Sequence, residues 1–496
     1  MTTYFVALAV ALLVSLIATP VVIATARRYG WLDVPTDPRK VHRAPVPRLG
    51  GVAVVLAFAT PLLGLAVYSN GVSEILYADS AKVLAFLAGG VIIVGLGVYD
   101  DLKGANAKLK LAVQSVAAFV VWWAGIRIEL LGVPLGGELE LAWLSFPLTW
   151  LWIVGVTNAL NLIDGLDGLA AGVGLIASTV LFTVALADNA VLMCLVMACL
   201  AGALLGFLYF NFNPAKIFLG DSGSMFLGFV LSAVSIWTYR KGATAAALLI
   251  PMMALGLPLL DTTLAFVRRV LRKTNPFDAD REHVHHRLLD LGLSHRNAVF
   301  TLYTASGVFA LGSLALLQDD ATIGVIATLS VAVAMYIFFR RVGVLRLPTL
   351  AAAAVANQTR QQVRQASRSI RNAETEDEVW SALEVILSEL RAVEASLSWR
   401  GCEDGREAVK EYVYRWTASD RSSRRRLEKE LPLHEDGVDY GTLTVSFDGK
   451  APEPTATLFS EIIREALVDF ALAKRTSDLP DSVVVPLNQP RRRSEA

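Results

Sequence analysis

The sequence predicts a polytopic α-helical membrane protein of about 11 transmembrane helices, followed by a small C-terminal cytoplasmic α/β domain. Composition gives the first reason, because 54% of the 496 residues are hydrophobic and only 18% are charged. The mean hydropathy of +0.51 is also too high for an ordinary soluble protein. The second reason is asymmetry, since the long charged runs follow residue 340. The chain therefore divides into a membrane body and a polar body, and no nucleic-acid partner is expected.

Apolar runs of ~20 residues predict the spans, because that length crosses the hydrocarbon core of a bilayer. The N-terminal run lacks the basic start and the small-residue cleavage site of a secretory signal, so we expect it to remain as the first span. The predicted spans are residues 3–26, 49–69, 80–99, 108–126, 143–161, 168–187, 189–210, 223–239, 243–267, 297–317 and 321–340.

Loop charges predict the orientation of these spans, because Lys and Arg are retained on the cytoplasmic side. Segments 27–48 and 268–296 each hold six or more Lys and Arg residues, whereas most of the alternate loops are acidic. With an odd number of spans, the N-terminus lies outside and the C-terminus is cytoplasmic. Between the fourth and fifth spans, residues 126–141 alternate and turn at Gly136-Gly137, which predicts a small external β-hairpin.

The polar body begins with a predicted basic linker helix over residues 341–372, on which four arginines recur at spacings of three and four. That face could lie along anionic lipid headgroups, or the helix could be a solvated linker. Residues 373–475 predict a soluble α/β domain similar in outline to GAF sensory domains, and we find no ligand motif in it. Residues 476–496, rich in Pro and Arg, are predicted to be disordered.

Two acidic motifs lie at predicted span ends, where a charge needs a functional reason. Asp100 and Asp101 close the third span; they could simply cap it, but adjacent carboxylates resist ionising together, which favours a metal or a proton-acceptor role. Asn161, Asp164 and Asp167 join the fifth and sixth spans at spacings of three. If that stretch is helical, they share roughly one face. Packing alone explains the neighbouring glycines but not three oxygen ligands.

Two further motifs complete the set. Asp221, in Phe218-Leu-Gly-Asp-Ser-Gly-Ser, could be an N-cap, but a glycine-rich helix N-terminus is also a natural seat for phosphate, and an Asp there can hold Mg²⁺. His283, His285 and His286 occupy the basic loop before the tenth span. Zinc is the alternative for these imidazoles, but the oxygen-rich remainder favours Mg²⁺, leaving the histidines to bind diphosphate oxygens.

Taken in order, Asp-Asp, Asn-x-x-Asp-Gly-x-Asp-Gly, Phe-x-Gly-Asp-x-Gly-Ser and His-x-His-His resemble the polyprenyl-phosphate N-acetylhexosamine-1-phosphate transferases over residues 1 to about 340. The segment from Asp37 to Gly51 is similar to the branch that makes lipid-linked N-acetylglucosamine. This resemblance implies transfer of a sugar 1-phosphate, most simply N-acetylglucosamine 1-phosphate, from a UDP-sugar to undecaprenyl phosphate with release of UMP. It also implies a multi-pass protein of the bacterial inner membrane whose site faces the cytoplasm.

The resemblance further implies roles for individual residues. Asp221 is the expected principal Mg²⁺ ligand with Asp100 and Asp101 nearby, Mn²⁺ being able to substitute, and Asp100 accepts the proton of the lipid phosphate. Phe218 stacks on uracil, and Lys108 reaches the nucleotide. The expected catalytic set is Asp100, Asp101, Asp164 and Asp167, and the expected substrate-binding set is Arg48, Lys108, Asn161, Asn211, Phe218, His285, His286 and Arg287.

Three alternatives accompany this prediction. The same reaction could use another UDP-N-acetylhexosamine or UDP-N-acetylmuramoyl-pentapeptide, although the His-x-His-His spacing and the residues Val46 and Arg48 depart from the muramoyl branch. An ion-coupled transporter would also hold Asp and His in its spans, but near the midplane rather than at span ends. A membrane-tethered sensor would leave the motifs unexplained. The expected partners are the UDP-sugar, undecaprenyl phosphate and membrane lipids, and a homodimer is one expected assembly. The sequence assigns no partner or ligand to the C-terminal domain.

Overall fold

The computed structural model describes residues 1–33, 45–67, 71–132, 138–238, 246–271, 283–318, 320–344, 350–373, 375–389, 392–403, 406–417, 426–435, 438–448 and 462–471. The chain divides into two compact units. Unit 1 comprises Met1–Arg269 and Asn275–Leu347, and unit 2 comprises Val270–Thr274 and Pro348–Ala496. The predicted disordered tail, and Asp37, Asp280 and Arg281 of the predicted motifs, lie outside the described residues.

Unit 1 is built from helices and two short antiparallel strand pairs. Its helices are α1 (Thr2–Tyr29), α2 (Gly50–Val67), α3 (Gly71–Ala78), α4 (Ser80–Lys103), α5 (Ala107–Trp123), α6 (Ser145–Ile163), α7 (Leu169–Ala187), α8 (Val191–Asn211), α9 (Gly220–Thr238), α10 (Ala246–Ala254), α11 (Gly256–Leu271), α12 (Val284–Asp290), α13 (His295–Ala315) and α14 (Ala321–Val342). Strand β1 (Leu32–Asp33) pairs with β2 (Val46–Pro47), and β3 (Leu130–Gly132) pairs with β4 (Glu138–Glu140). The turn predicted at Gly136-Gly137 falls outside the described residues.

Seven of the described helices are long and apolar enough to cross a membrane, which makes unit 1 polytopic. They are α1, α4, α6 with the 3₁₀ turn before it, α7, α8, α13 and α14. Four predicted spans fall on helices outside this group. Helices α2 and α5 are 18 and 17 residues long, α9 carries the polar start of the Asp221 motif, and the predicted span 243–267 is divided. The count of eleven spans therefore stays a prediction.

The division of the predicted span 243–267 has a local cause. Helix α10 ends at Ala254 and α11 begins at Gly256. Pro258 has no N–H to donate to the carbonyl of Ala254, so one helical hydrogen bond is missing at this point. The interruption is confined to Leu255, because the Leu255 N–H still donates to the Pro251 carbonyl at 3.0 Å and the Leu259 N–H to the Leu255 carbonyl at 3.1 Å.

Helix α9 lies at the centre of unit 1 and is buried from Ser222 to its end. Helices α2, α4, α6 and α7 pack around it. Two glycines allow the closest approaches: a Cβ on Gly51 would lie 2.1 Å from the Gly223 nitrogen, and one on Gly97 would lie 2.3 Å from Ser222 Cα. Backbones can approach this closely only where side chains are small. The start of α9 is therefore fixed between α2 and α4.

Unit 2 contains helices α15 (Leu350–Arg371) and α16 (Glu376–Glu389), helical residues 462–471, and a four-stranded antiparallel sheet. The strands β5 (Ala392–Glu403), β6 (Arg406–Thr417), β7 (Arg426–Glu435) and β8 (Val438–Asp448) are ordered β6-β5-β8-β7. Val363 and Ile370 of α15 are buried in the core of this unit, and Arg371 pairs with Asp469 at 3.1 Å. The apolar face of α15 thus packs inside unit 2, while Arg364 and Arg368 are exposed.

Candidate active site

Three charged side chains from three helices meet near the start of α9. The ammonium of Lys110, in the first turn of α5, lies 2.6 Å from Asp221 Oδ2 and also forms an ion pair with Asp100 at the end of α4. Asp100 Oδ1 additionally accepts a hydrogen bond from the Ala105 N–H at 2.5 Å. These donors favour the ionised carboxylate, but burial, followed by Asp221, raises the pKa of Asp100 to about 6. Two carboxylates from separate motifs thus face one cation.

Asp101 has a different environment from its neighbour Asp100. Its Oδ1 accepts the N–H of Asp221 at 2.8 Å, and its Oδ2 accepts the N–H of Ser222 at 3.1 Å. A carboxylate at a helix N-terminus satisfies N–H groups that lack partners within the helix and interacts favourably with the helix dipole. Asp101 therefore caps α9. The N–H groups of Asp221 and Ser222 lie at the helix end that was predicted to bind a phosphate, and both already donate to the Asp101 carboxylate.

The acidic motif after α6 is not one continuous helix. Helix α6 ends at Ile163, and Asp164 to Gly168 form a turn before α7 begins at Leu169. The expectation of one shared helical face is therefore wrong for Asp167, because the glycines in this stretch allow the chain to turn. Asn161, still on α6, donates from Nδ2 to Asp221 Oδ1 at 3.0 Å.

Asp164 lies in this turn and is partly buried. Burial raises the pKa of Asp164 well above its usual range, and the charges of Asp221, Asp101 and Asp167 add to that rise. Both effects favour the protonated acid, because burial disfavours a charge and like charges repel.

Asp167 holds two turns together. Its Oδ2 accepts hydrogen bonds from Asn213 Nδ2 at 2.8 Å and from the Ala215 N–H at 3.1 Å. Asn211, 3% exposed, donates from Nδ2 to the Ile217 carbonyl at 2.9 Å, while its Oδ1 is buried with no hydrogen-bond partner among the described residues. Asp167 and Asn211 therefore shape the segment that leads to Phe218 and Asp221.

The histidine motif lies against the acidic turn. His285, in the first turn of α12, is 3% exposed. Its Nε2 is so close to Gly165 that a Cβ at that glycine would lie 2.3 Å away. The ring of His286 lies 4.2 Å from that of His285. The structure therefore brings together the motif after α6 and the histidine motif, which are about 120 residues apart in sequence.

His285 is a neutral imidazole at physiological pH. Burial, and next the adjacent His286, lower the pKa of His285 to about 3, because a buried charge is disfavoured and a second positive charge nearby adds to that. Its Nδ1 is buried and has no hydrogen-bond partner in the part of the chain that the structure describes. A buried polar atom of this kind costs free energy unless a ligand or water satisfies it.

Three other predicted residues lie around this cluster in different ways. The Phe218 N–H donates to the Pro47 carbonyl at 2.9 Å, and the Gly50 N–H donates to the Phe218 carbonyl at 3.0 Å, so the segment before α2 is joined to the segment before α9. Arg48 lies in that segment and forms an ion pair with Asp33. Lys108 is exposed on α5. The structure thus places Phe218 at the site and Lys108 at its outer edge.

Sequence reasoning missed three residues of this arrangement. Lys110 lies between the carboxylates, whereas the prediction chose Lys108. His295, which belongs to none of the predicted motifs, accepts the Asp167 N–H at 2.9 Å through Nε2. Asp261 was not considered, although a carboxylate within the apolar stretch of α11 is the same signal that identified the other motifs.

The donor atoms at the cluster suit magnesium. Asp100 and Asp221 each direct one carboxylate oxygen toward the same point, now held by the Lys110 ammonium. Mg²⁺ in enzymes is typically bound through one or two carboxylates, with substrate phosphates and water completing the shell. Among the described residues there is no group of three or more His, Cys, Asp or Glu side chains arranged to hold a metal. Asp100 and Asp221 are therefore the two carboxylates of the cluster that could hold such an ion.

Comparisons with known proteins agree on one family. Residues 83–239 match the family model described as Glycosyl transferase family 4. The chain is 39% identical over 312 residues to a Bacillus subtilis (strain 168) protein named probable undecaprenyl-phosphate N-acetylglucosaminyl 1-phosphate transferase, covering 63% of this chain and 84% of that relative. It is 37% identical to the decaprenyl-phosphate N-acetylglucosaminephosphotransferase of Mycobacterium leprae (strain TN), covering 61% of this chain and 81% of the relative.

A more distant relative bears the name of the muramoyl branch. The phospho-N-acetylmuramoyl-pentapeptide-transferase of Pelotomaculum thermopropionicum (strain DSM 13744 / JCM 10971 / SI) is 33% identical over 329 residues, covering 63% of this chain and 97% of that protein. The chain therefore belongs to the polyprenyl-phosphate N-acetylhexosamine-1-phosphate transferases of glycosyl transferase family 4.

Proposed function

We propose that this enzyme transfers N-acetylglucosamine 1-phosphate from UDP-N-acetylglucosamine to undecaprenyl phosphate and releases UMP. The observation that carries the proposal is the convergence of Asp100 and Asp221 on Lys110, with Asn161 bonded to Asp221. The printed names of the Bacillus and Mycobacterium relatives support a polyprenyl-phosphate acceptor and an N-acetylglucosaminyl 1-phosphate group. In this proposal the side-chain amide of Asn211 and the aromatic ring of Phe218 bind the nucleotide of the donor.

The proposed reaction is one displacement at phosphorus. An oxygen of undecaprenyl phosphate attacks the phosphorus that bears the sugar, a new P–O bond forms, and the bond to the bridging oxygen of the diphosphate breaks. UMP leaves with that oxygen and its electron pair, and the product is a lipid-linked diphosphate sugar. Because two anions must meet, the barrier falls mainly through charge stabilisation and positioning.

Each cluster residue has a task in this reaction. The ion-paired Asp100 is ionised and accepts the proton of the lipid phosphate when that phosphate arrives protonated. Lys110 offsets the negative charge of the meeting phosphates, and His285 offers a neutral imidazole to the diphosphate. Asp221, with Asp100, holds Mg²⁺, which supplies further offset of phosphate charge when it is bound. Asp101 fixes the start of α9, and so the position of Asp221.

The proposal includes the compartment. The basic segments 27–48 and 268–296 adjoin the cluster in sequence, and such segments stay in the cytoplasm. A cytoplasmic site in the bacterial inner membrane receives the water-soluble nucleotide sugar from one side and the lipid from the bilayer. The product is then a lipid-linked precursor for a cell-envelope polysaccharide.

A panel assay tests the proposal. Purified protein is supplied with undecaprenyl phosphate, Mg²⁺ and one UDP-sugar at a time, namely the N-acetylglucosamine, N-acetylgalactosamine and N-acetylmuramoyl-pentapeptide forms, and UMP is measured. UMP release is expected with UDP-N-acetylglucosamine, with loss on chelation by EDTA and return with Mg²⁺ or Mn²⁺. Preference for the muramoyl-pentapeptide donor would instead favour the alternative suggested by the Pelotomaculum relative, and release from none of the donors would end the proposal.

Asp221→Asn tests the metal assignment directly. The amide keeps the size and one acceptor of the side chain but removes its charge, so Mg²⁺ should bind more weakly. The expected result is a fall in kcat of at least ~10²-fold, with a higher Mg²⁺ concentration needed for half-maximal rate. An unchanged Mg²⁺ requirement would contradict the role of Asp221.

A further inference from the structure

Asp261 is a buried acid that the proposed mechanism does not use. It lies in the second turn of α11 and is 2% exposed. Its Oδ2 accepts a hydrogen bond from His283 Nδ1 at 2.9 Å, and its Oδ1 accepts the Val284 N–H at 3.0 Å. His283 is itself 4% exposed. A buried carboxylate is costly unless it is bonded in this way, so the pair forms a specific anchor.

The anchor acts on the helix that carries the histidine motif. His283 is the N-cap of α12, and Val284 is the first residue of that helix. Helix α12 is only 7 residues long, which is too short to be stable by itself. One carboxylate therefore fixes both the cap residue and the first N–H of the helix, and His285 follows one residue later against Gly165.

The same contact fixes the proton on the His283 ring. A carboxylate can only accept, so Nδ1 must carry the hydrogen and donate it. In a neutral ring, Nε2 is then an acceptor. The rings of His283 and His285 are nearly parallel, with centroids 5.9 Å apart and an interplanar angle of 9°. The orientation of one imidazole thus constrains the next.

We propose that Asp261 is a positioning residue, which holds α12 and the His283 tautomer so that His285 and Arg287 face the diphosphate of the donor. This role rests on the proposed function. It is indirect, because the Asp261 carboxylate contacts His283 and Val284. A carboxylate that orients a histidine through its ring N–H typically contributes 10- to 100-fold to activity.

Asp261→Asn is the main test, measured on the full-length protein with UDP-N-acetylglucosamine and undecaprenyl phosphate. The side-chain amide can donate to Nδ1, which favours the opposite tautomer. We expect kcat to fall 10- to 100-fold, while KM for the nucleotide sugar changes less than about threefold, because Asn211 and Phe218 bind the nucleotide independently of α12. Asp188→Asn, at the far end of α7, is the matched control and should retain the wild-type rate. Wild-type kcat in a folded Asp261→Asn protein would overturn the proposal.

A second pair of variants leaves Asp261 in place. His283→Asn keeps an N–H donor near the position of Nδ1, whereas His283→Leu removes it. The conservative Asn variant should be at least tenfold more active than the Leu variant, and equal activities would overturn the proposal. This comparison decides the matter if Asp261→Asn does not fold.

Hydrogen exchange separates the positioning role from the proposed function. Amides of the Val284–Asp290 peptide should exchange at least tenfold faster in Asp261→Ala than in the wild type, because alanine removes the acceptor of the Val284 N–H at the start of α12. This readout needs no substrate. If the wild-type protein releases no UMP, the proposed function fails, while unchanged exchange overturns the anchoring by Asp261.

Discussion

Among single residues, Lys110 matters most to the cluster, because it is the cation that pairs with both Asp100 and Asp221. Its ammonium is 2.6 Å from Asp221 Oδ2 and is paired with Asp100. Two carboxylates 4 Å apart repel by roughly 4 kcal/mol at an effective dielectric constant of 20. A cation between them reduces that cost, although burial and Asp221 still raise the pKa of Asp100 to about 6, and it can also meet an incoming phosphate. Lys108, two residues earlier, is exposed and lies on another side of α5.

Lys110→Met should therefore lower kcat by at least ~10²-fold, because the variant leaves Asp100 and Asp221 without their common cation. Lys108→Met is the matched variant on the same helix and should lose at least tenfold less activity. UMP release by both variants, at saturating substrates, checks the difference. Equal losses would return the role to Lys108, as the sequence predicted.

His285 makes the stability of unit 1 depend on pH. Its pKa is about 3 in the folded protein, against about 6.5 in an unfolded chain. The unfolded state therefore binds more protons between these values, and stability falls as pH decreases below about 6.5. The slope contributed by this one group is at most about 1.4 kcal/mol per pH unit.

We accordingly expect the wild-type Tm to be lower at pH 5 than at pH 7.5, with a smaller difference in His285→Gln. Gln cannot be protonated but retains polar atoms in the same space. Thermal unfolding in detergent at the two pH values measures this effect. Identical pH dependences for the two proteins would contradict the neutral, buried His285.

The residues that the sequence could and could not identify differ for a physical reason. Charges at span ends are costly, and this cost was sufficient to single out Asp100, Asp164 and Asp221. The choice between Lys108 and Lys110 depends on which face of α5 is buried. The structure shows this face, because Gln114, one turn after Lys110, is only 1% exposed. His295 acts through a contact with Asp167, 128 residues away, which no local pattern contains.

Elements meet most closely where α9 starts. Gly51 of α2 and Gly97 of α4 lie directly against its first turn, and Asp101 of α4 caps that turn. The cap and the glycine contact come from the same helix. A shift of α4 would therefore move both Asp100 and the start of α9, so the relative position of the carboxylates is set by backbone packing.

Gly97→Ala should disturb this packing, whereas Gly95→Ala should not. A Cβ at Gly97 would lie 2.3 Å from Ser222 Cα, whereas none of the described atoms lies within 4 Å of a Cβ at Gly95. Overpacking of this kind costs about 1–3 kcal/mol, and a misplaced catalytic group costs up to about 10²-fold in rate. Tm and kcat of the two variants measure both effects. Equal behaviour of the two alanine variants would contradict the close contact.

Element prediction failed where packing and backbone chemistry outweigh hydrophobicity. Apolar runs predict α1, α7 and α8 well, because each is a single uninterrupted stretch longer than 18 residues. The same rule cannot foresee that α11 is separate from α10, since Pro258 still counts as an apolar residue. It also left open whether the stretch from Asn161 to Asp167 is helical, and in the structure the chain turns after Ile163.

At the scale of the whole molecule, the predicted site residues that the structure describes all lie in unit 1. Unit 2 has its own buried core, which includes Val363 of α15, Leu383 of α16, Leu443 of β8 and Leu467. Each unit thus buries its own apolar residues, as independently folding domains do. The family model matches residues 83–239, which also lie in unit 1, so we expect unit 1 to carry out catalysis.

Removal of Pro348–Ala496 should therefore leave catalysis within about twofold of the full-length rate, because no side chain of the cluster is lost and the core of unit 1 stays covered by its own helices. The measurement is UMP release by the truncated protein, with Asp221→Asn in the same truncated chain giving the background rate. A truncated protein that keeps the Tm of unit 1 but loses more than tenfold in kcat would assign unit 2 a direct part in turnover. Retained activity would leave unit 2 with a task other than catalysis.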